Sequence, residues 1–302
     1  LTKEALKESP LKPSDKVRCK NFFALGFMYY VYSRPLEPTL KFFEQKWGKR
    51  LPDLAQANSK VLKAGFNLGD TMETARNRYQ VSKAPVQSGV YRKISGNEAM
   101  VYGLVAAAKL ANRELLYSGY PITPASPILE GLSQLKNFGV KSVQAEDEIA
   151  AMGVALGASF AGDLTVCATS GPGMCLKSEF IGLASITELP LIICNVQRGG
   201  PSTGLPTKTE QSDLLQALFS RHGDCPIPVL AAHSPSDCFE CSIEACRIAL
   251  TYCTPVIYLS DLYVANGAEP WLVPNAADLP AIEAKFADPD EEYISYKRKP
   301  DT

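Results

Sequence analysis

From about residue 97 onward the chain alternates short β-like apolar runs with amphipathic ones, and clusters of Gly, Pro, Ser and Thr follow several of the apolar runs. Strand and helix repeating at this spacing restrict the fold to the α/β class: a doubly wound, mostly parallel sheet covered on both faces. The periodicities predict helix 97–111, strand 114–119, helix 125–136, strand 139–145, helix 148–160 and strand 164–169. They continue with helix 174–187, strand 190–196, helix 209–219, strand 227–232, helix 236–250 and strand 255–260.

The flanking regions read differently. Residues 1–80 carry apolar positions at helical spacing, with one helix ending at Pro35, a second from Glu37-Pro38 through Trp47 and a third over 54–66. These helices are too thin to make a core of their own, so they are expected to pack on another domain or a partner. Residues 81–95, with Pro85, Gly89 and little periodicity, read as a linker to an α/β domain over 96–265. Residues 266–302, with Pro270, Pro274, Pro280 and Pro289, read as a surface tail. The chain starts at Leu1 with no initiator Met and no visible secretory signal, and is expected to be a fragment of something longer.

Composition removes several function classes. With 31 basic and 32 acidic residues the net charge of -1 offers nothing to nucleic acid or an anionic membrane. The longest apolar runs fall short of the roughly 20 residues that a membrane span needs. Nine scattered cysteines, an odd number, fit reduced cytoplasmic thiols rather than a disulfide framework. Cys238 and Cys241 have cluster-like spacing, but they fall in an amphipathic run with Ile243, Ala245 and Ala249 and read as core residues of a helix. His222 and His233 belong to no visible triad or metal spacing and read as structural.

Four turn clusters, each after a β-like run, fall where ligands sit in an open parallel sheet. In the first, Tyr120-Pro121-Ile122-Thr123-Pro124, two prolines stiffen the turn and leave the Thr123 hydroxyl available; the alternative is that Thr123 or Ser126 caps the next helix. In the second, Glu146, Asp147 and Glu148 open a Gly- and Ala-rich helix, where compensation of the helix dipole alone explains acids. The glycines in that helix imply a close approach by another element, a subunit or a ligand. The third, Ser170-Gly171-Pro172-Gly173, offers backbone amides but lacks the spacing of a phosphate loop or a dinucleotide fingerprint. The fourth, Gly199-Gly200-Pro201-Ser202-Thr203-Gly204, follows Arg198, whose guanidinium on a strand-end loop can hold a carboxylate through two parallel hydrogen bonds. Local chemistry alone gives a carboxylate-binding crevice with no nucleophile of its own.

Taken together, Tyr120 to Pro127, Gln144 to Ala151, Thr169 to Gly173 and Val196 to Thr207 closely resemble the α subunit of 2-oxoacid:ferredoxin oxidoreductases. The similarity is greatest to the 2-oxoglutarate type with a γ portion fused ahead of α, because residues 20–79 are similar to the end of that portion. The resemblance implies the pyrimidine-binding domain of a thiamine diphosphate enzyme, with the cofactor shared with a β subunit. It implies that Glu148 hydrogen-bonds the aminopyrimidine, with Ser170, Gly171, Pro172 and Gly173 also beside the cofactor. Tyr120, Pro121, Ile122, Thr123, Ser126 and Arg198 would then line the substrate pocket near the loop 199–204, with Arg221 a weaker substitute for Arg198. The implied reaction converts a 2-oxoacid and coenzyme A to an acyl-coenzyme A and carbon dioxide, with electrons passing to ferredoxin.

No Gly-Asp-Gly followed by Asn-Asn is present, so Mg2+ and a 4Fe-4S cluster are expected on the β subunit and no metal on this chain. The expected assembly is a cytoplasmic dimer of αβ units, with a later α domain following residue 302. Two alternatives remain: a pyruvate or branched-chain 2-oxoacid enzyme, and a non-catalytic scaffold homologue.

Overall fold

The structure is a computed structural model, and it describes every residue except 73–76, 285, 287–289, 291, 293, 295–296, 299 and 301–302. The chain divides into two compact units, Leu1–Gln87 and Ser88–Thr302.

The first unit is helical: α1 Thr2–Ala5, α2 Pro13–Arg18, α3 Lys20–Val31, α4 Glu37–Phe43, a π-helical turn Glu44–Gly48 and α5 Pro52–Thr71. Proline within the first two positions starts α2, α4 and α5, where its missing N–H costs nothing. A small core forms within this unit, where Leu6, Cys19, Ala57 and Val61 are buried together. Phe22 meets Phe43 edge-on at 4.7 Å and Trp47 at 6.2 Å, so three aromatics supply the area that short helices lack. The two long helices touch backbone to backbone. A Cβ on Gly26 would overlap the Leu62 carbonyl, and one on Gly65 the Phe23 carbonyl.

The second unit holds β1 Tyr91–Ser95, α6 Gly96–Leu110, β2 Leu115–Gly119, α7 Ser126–Ser133, β3 Val140–Gln144, α8 Glu148–Phe160 and β4 Leu164–Thr169. It continues with α9 Gly171–Leu176, α10 Ser178–Ile186, β5 Leu191–Gln197, α11 Leu214–Phe219, β6 Val229–Ala231, α12 Asp237–Tyr252, β7 Pro255–Asp261, α13 Leu262–Asn266 and β8 Ala268–Leu272. Six strands form a parallel sheet in the order β3-β2-β4-β5-β7-β6.

Every residue of β4, β5 and β7 is buried, which is why these strands read as continuous apolar runs. Successive side chains go to opposite faces. Val166, Ile192, Cys194 and Tyr258 join one core with α6, α7 and α12; Cys167, Ile193 and Ile257 join another with α8 and α10. The sheet is therefore doubly wound, as expected.

Two expectations are corrected here. The linker 81–95 gives way at Tyr91 to β1, and the tail 266–302 begins with β8; the two pair antiparallel, Tyr91 opposite Leu272 and Ser95 opposite Ala268. The tail's prolines did not exclude a strand, because Pro270 lies in a two-stranded ribbon where one side of each strand is an edge. Trp271 packs on Phe239 at 5.1 Å, Ile282 is buried, and Arg113 Nη2 donates to the Ala284 carbonyl at 3.1 Å. Pro289 lies outside the described residues.

Candidate functional site

The chain climbs β2, runs out to the edge strand β3, and returns past β2 to β4. At such a reversal the loops on either side diverge and leave a crevice at the carboxyl ends of the strands. There the structure has a cleft of about 890 Å³, lined from the ends of β2, β3, β4 and β5. Tyr120, Pro121, Ile122 and Thr123 form one side, Glu148 and Gly171-Pro172 the floor, and Arg198 with Gly200, Pro201, Ser202 and Thr203 the other side. Residues that lie far apart in sequence thus meet as the four motifs predicted.

Each motif resolves an open alternative. Neither Thr123 nor Ser126 caps α7, whose N-cap is Ala125. Ser126 Oγ instead accepts from the Ile122 N–H at 3.0 Å and donates to the Ile122 carbonyl at 3.1 Å, so it closes the turn and does not line the cleft. Thr123 is exposed at the cleft, and its hydroxyl makes no hydrogen bond within the described residues.

Among the three acids, Asp147 is the N-cap of α8: its Oδ1 accepts from the Ala150 N–H at 2.8 Å. Glu148, the first helical residue, is thereby free to face the cleft, and Glu146 is exposed away from it. The geometry of the floor depends on Gly173. A Cβ there would overlap the Thr169 hydroxyl and the Tyr120 phenol and meet Glu148 Cγ at 3.1 Å. The Tyr120 and Thr169 hydroxyls share a 2.7 Å hydrogen bond, and burial pushes the phenol far above its usual range. Ser170 and Gly173 lie buried beneath the cleft, and the Ser170 hydroxyl has no partner among the described residues.

Arg198 is 7% exposed and is the one basic residue among the described residues lining the cleft. Its Nη1 donates to the Thr123 carbonyl at 2.5 Å and its Nη2 to the Thr203 carbonyl at 2.9 Å, so it straps the first turn to the fourth. Its Nε is buried without a partner, and no carboxylate pairs with it within the described residues. A buried guanidinium satisfied only by neutral carbonyls is suited to an anion from outside. Gly199 and Gly204 shape the loop: Gly199 accepts from the Leu205 N–H, and a Cβ on Gly204 would overlap the Gly199 carbonyl.

Arg221, expected as a substitute, is elsewhere. Its Nη2 donates to the Ala217 and Leu218 carbonyls at the end of α11, in a separate groove with His222. His233 Nδ1 lies 2.7 Å from Asp237 Oδ2, remote from the cleft.

Sequence reasoning missed Asp213, which lines the cleft, accepts from Asn195 Nδ2 at 2.9 Å and donates its N–H to Gln197 Oε1 at 2.9 Å. Nothing local marks it: it stands at the start of α11 and reaches the site by bonding back to Asn195 and Gln197 of β5. The Cys238-x-x-Cys241 pair lies on α12 as expected for core residues of a helix, with Cys238 buried, and burial pushes the two thiols up to about 11 and about 12. Among the described residues no group of metal-ligating side chains is assembled.

Residues 107–301 match the family described as "Pyruvate flavodoxin/ferredoxin oxidoreductase, thiamine diP-bdg". The whole chain is 51% identical over 302 residues to a Mycobacterium tuberculosis protein named "2-oxoglutarate oxidoreductase subunit KorA", covering 46% of that protein. Over 193 residues, 64% of this chain, it is 45% identical to the "2-oxoglutarate synthase subunit KorA" of Archaeoglobus fulgidus, covering 54% of it. Among solved structures it is similar to the 2-oxoglutarate:ferredoxin oxidoreductase from Magnetococcus marinus with 2-oxoglutarate, coenzyme A and succinyl-CoA bound. The TM-score is 0.84 at 34% identity, over 97% of this chain and 49% of that one. The chain spans about half the length of the curated relatives it matches.

Proposed function

The chain belongs to the thiamine-diphosphate-binding family of pyruvate flavodoxin/ferredoxin oxidoreductases, and from that premise we propose that it is part of a 2-oxoglutarate:ferredoxin oxidoreductase. The reaction is oxidation of 2-oxoglutarate with coenzyme A to succinyl-coenzyme A and carbon dioxide, two electrons leaving one at a time for ferredoxin. The observation that carries the reading is the convergence of Glu148, Thr123 and an anion-seeking Arg198 in one cleft at the sheet's reversal point. The names of the relatives and the ligands of the Magnetococcus enzyme favour 2-oxoglutarate over pyruvate or a branched-chain 2-oxoacid.

The residues present fit the pyrimidine half of the cofactor. Gly171 and Pro172 put no long side chain into the cleft beside Glu148, the buried Gly173 lets Tyr120 and Thr169 pack close beneath it, and the Glu148 carboxylate lines the cleft as a hydrogen-bonding partner for the aminopyrimidine ring. When bound, thiamine diphosphate supplies a carbon nucleophile for the 2-oxoacid carbonyl and an acceptor for the electron pair left by departing carbon dioxide. This chain's own work is positional. Arg198 holds the substrate's 1-carboxylate through its free N–H groups, the Thr123 hydroxyl donates to the adjacent oxygen, and Glu148 keeps the pyrimidine in its reactive orientation.

The diphosphate's Mg2+ and the 4Fe-4S cluster are assigned to a β chain, and the working assembly to a dimer of αβ units. All nine cysteines are free thiols, in keeping with a cytoplasmic setting, and no helix among the described residues is long and apolar enough to cross a membrane.

In the complex of the full-length protein with its partner chain, Glu148→Gln lowers kcat by about a hundredfold or more, the scale of lost acid–base assistance, and leaves the 2-oxoacid KM nearly unchanged. Unchanged turnover would favour the scaffold reading.

A further inference from the structure

Lys177 lies between α9 and α10, and its side chain is wholly buried. Its ammonium carries three donors, yet the hydrogen bond it makes to an oxygen goes to the main-chain carbonyl of Glu148, at 2.8 Å. It also sits over the Tyr120 ring at 4.9 Å and against the Cys167 thiol, whose upward shift from burial its charge opposes. No carboxylate pairs with it within the described residues.

A buried, unpaired cation is an expensive way to fill space, and an apolar chain of equal length folds as well or better. Nor does it serve the helix, since a positive charge beside the first turn of α8 opposes the helix dipole. Two of its contacts lead to Glu148: the carbonyl belongs to Glu148 itself, and Tyr120, over whose ring the ammonium sits, lies with Thr169 and Glu148 Cγ around Gly173.

We propose that Lys177 is a positioning residue that pins the first turn of α8, and with it the Glu148 carboxylate, where that carboxylate meets the thiamine pyrimidine. The inference rests on the proposed function and adds to it a strut beneath the cleft. Removing the ammonium frees the turn and lets the carboxylate wander, while substrate binding at Arg198, on the far side of the cleft, is untouched.

The test uses the full-length protein with its partner chain, freed of cofactor and titrated with thiamine diphosphate and Mg2+. Binding is followed by fluorescence quenching, and the bound ring by its near-ultraviolet circular dichroism. Lys177→Met is expected to melt at or above the wild-type Tm, to bind the cofactor about tenfold or more weakly, the scale of one charge-assisted hydrogen bond, and to lose the dichroic signal. Its kcat falls while the 2-oxoacid KM stays within about twofold of wild type. Wild-type affinity and dichroism in Lys177→Met overturn the proposal, as does a lowered Tm with unaltered cofactor binding, which makes the residue structural. Failure of the wild-type complex itself to bind thiamine diphosphate refutes the proposed function instead.

Discussion

Arg198 shows how one side chain can join a fold to a function. Two of its donors tie the Thr123 and Thr203 carbonyls together, which fixes both turns, and its Nε is buried with no partner among the described residues. Arg198→Met therefore has two effects. It raises the 2-oxoacid KM by about two orders of magnitude, the scale of leaving a buried charge without its partner, and it lowers stability by about 1–3 kcal/mol for two orphaned carbonyls. Steady-state kinetics and denaturant titration on the same protein separate these. A KM within twofold of wild type would reassign the residue to architecture. That Arg198, Thr123 and Glu148 would share one crevice was legible from their motifs at predicted strand ends, while the roles proposed for them came from the resemblance and not from local chemistry. The division of labour among Glu146, Asp147 and Glu148 was not, since any of three adjacent acids can cap and only the backbone decides that Asp147 does. Lys177 and Asp213 were illegible for a different reason: their partners lie 29 and 18 residues away.

At the scale of elements, the fully buried strands β4, β5 and β7 could be read from composition, whereas β1 and β8 could not. Their pairing joins Tyr91 to Leu272, and no local pattern encodes a ladder closed across the whole second unit. The predicted helix 174–187 is two helices, because Pro172 starts α9 earlier and the chain breaks at Lys177 to send that side chain inward. The predicted helix 209–219 shortens to Leu214–Phe219, since Lys208 and Glu210 are engaged by Gly199 and Gly200 of the Arg198 loop. In the first unit, the approach of α3 to α5 at Gly26 and Gly65 makes a sharp prediction. Gly65→Ala destabilises that helix pair by about 1–3 kcal/mol through overpacking against backbone, which cannot swing aside. Hydrogen exchange read by mass spectrometry should show α3 and α5 amides losing protection while β4 and β5 are unchanged. Equal protection in both would mean that the helices part easily.

Across the whole molecule, burial holds several weak acids in their neutral form. The Cys238 and Cys241 thiols are pushed up to about 11 and about 12 from an ordinary 9.0, and Tyr117 and Tyr258 rise well above 10.0. Groups that bind protons more tightly folded than unfolded contribute stability that is complete below the unfolded value and lost as pH rises. Thermal melts of the native protein should therefore be flat in this contribution from pH 7 to about 9 and fall steadily above it. A Tm that held constant to pH 11 would show these groups titrating freely. The same scale governs the site. Among the described residues the cleft is lined by one cation, Arg198, and two acids, Glu148 and Asp213; under the proposed function these serve the pyrimidine and the 2-oxoacid carboxylate, and a second chain serves the rest of the reaction. The measurement that tests this most directly is 2-oxoglutarate- and coenzyme A-dependent reduction of an electron acceptor by the full-length protein, with thiamine diphosphate and Mg2+, in the presence and absence of its partner chain. Turnover that appears only when both chains are present is the predicted result; full turnover by this protein alone would contradict the account.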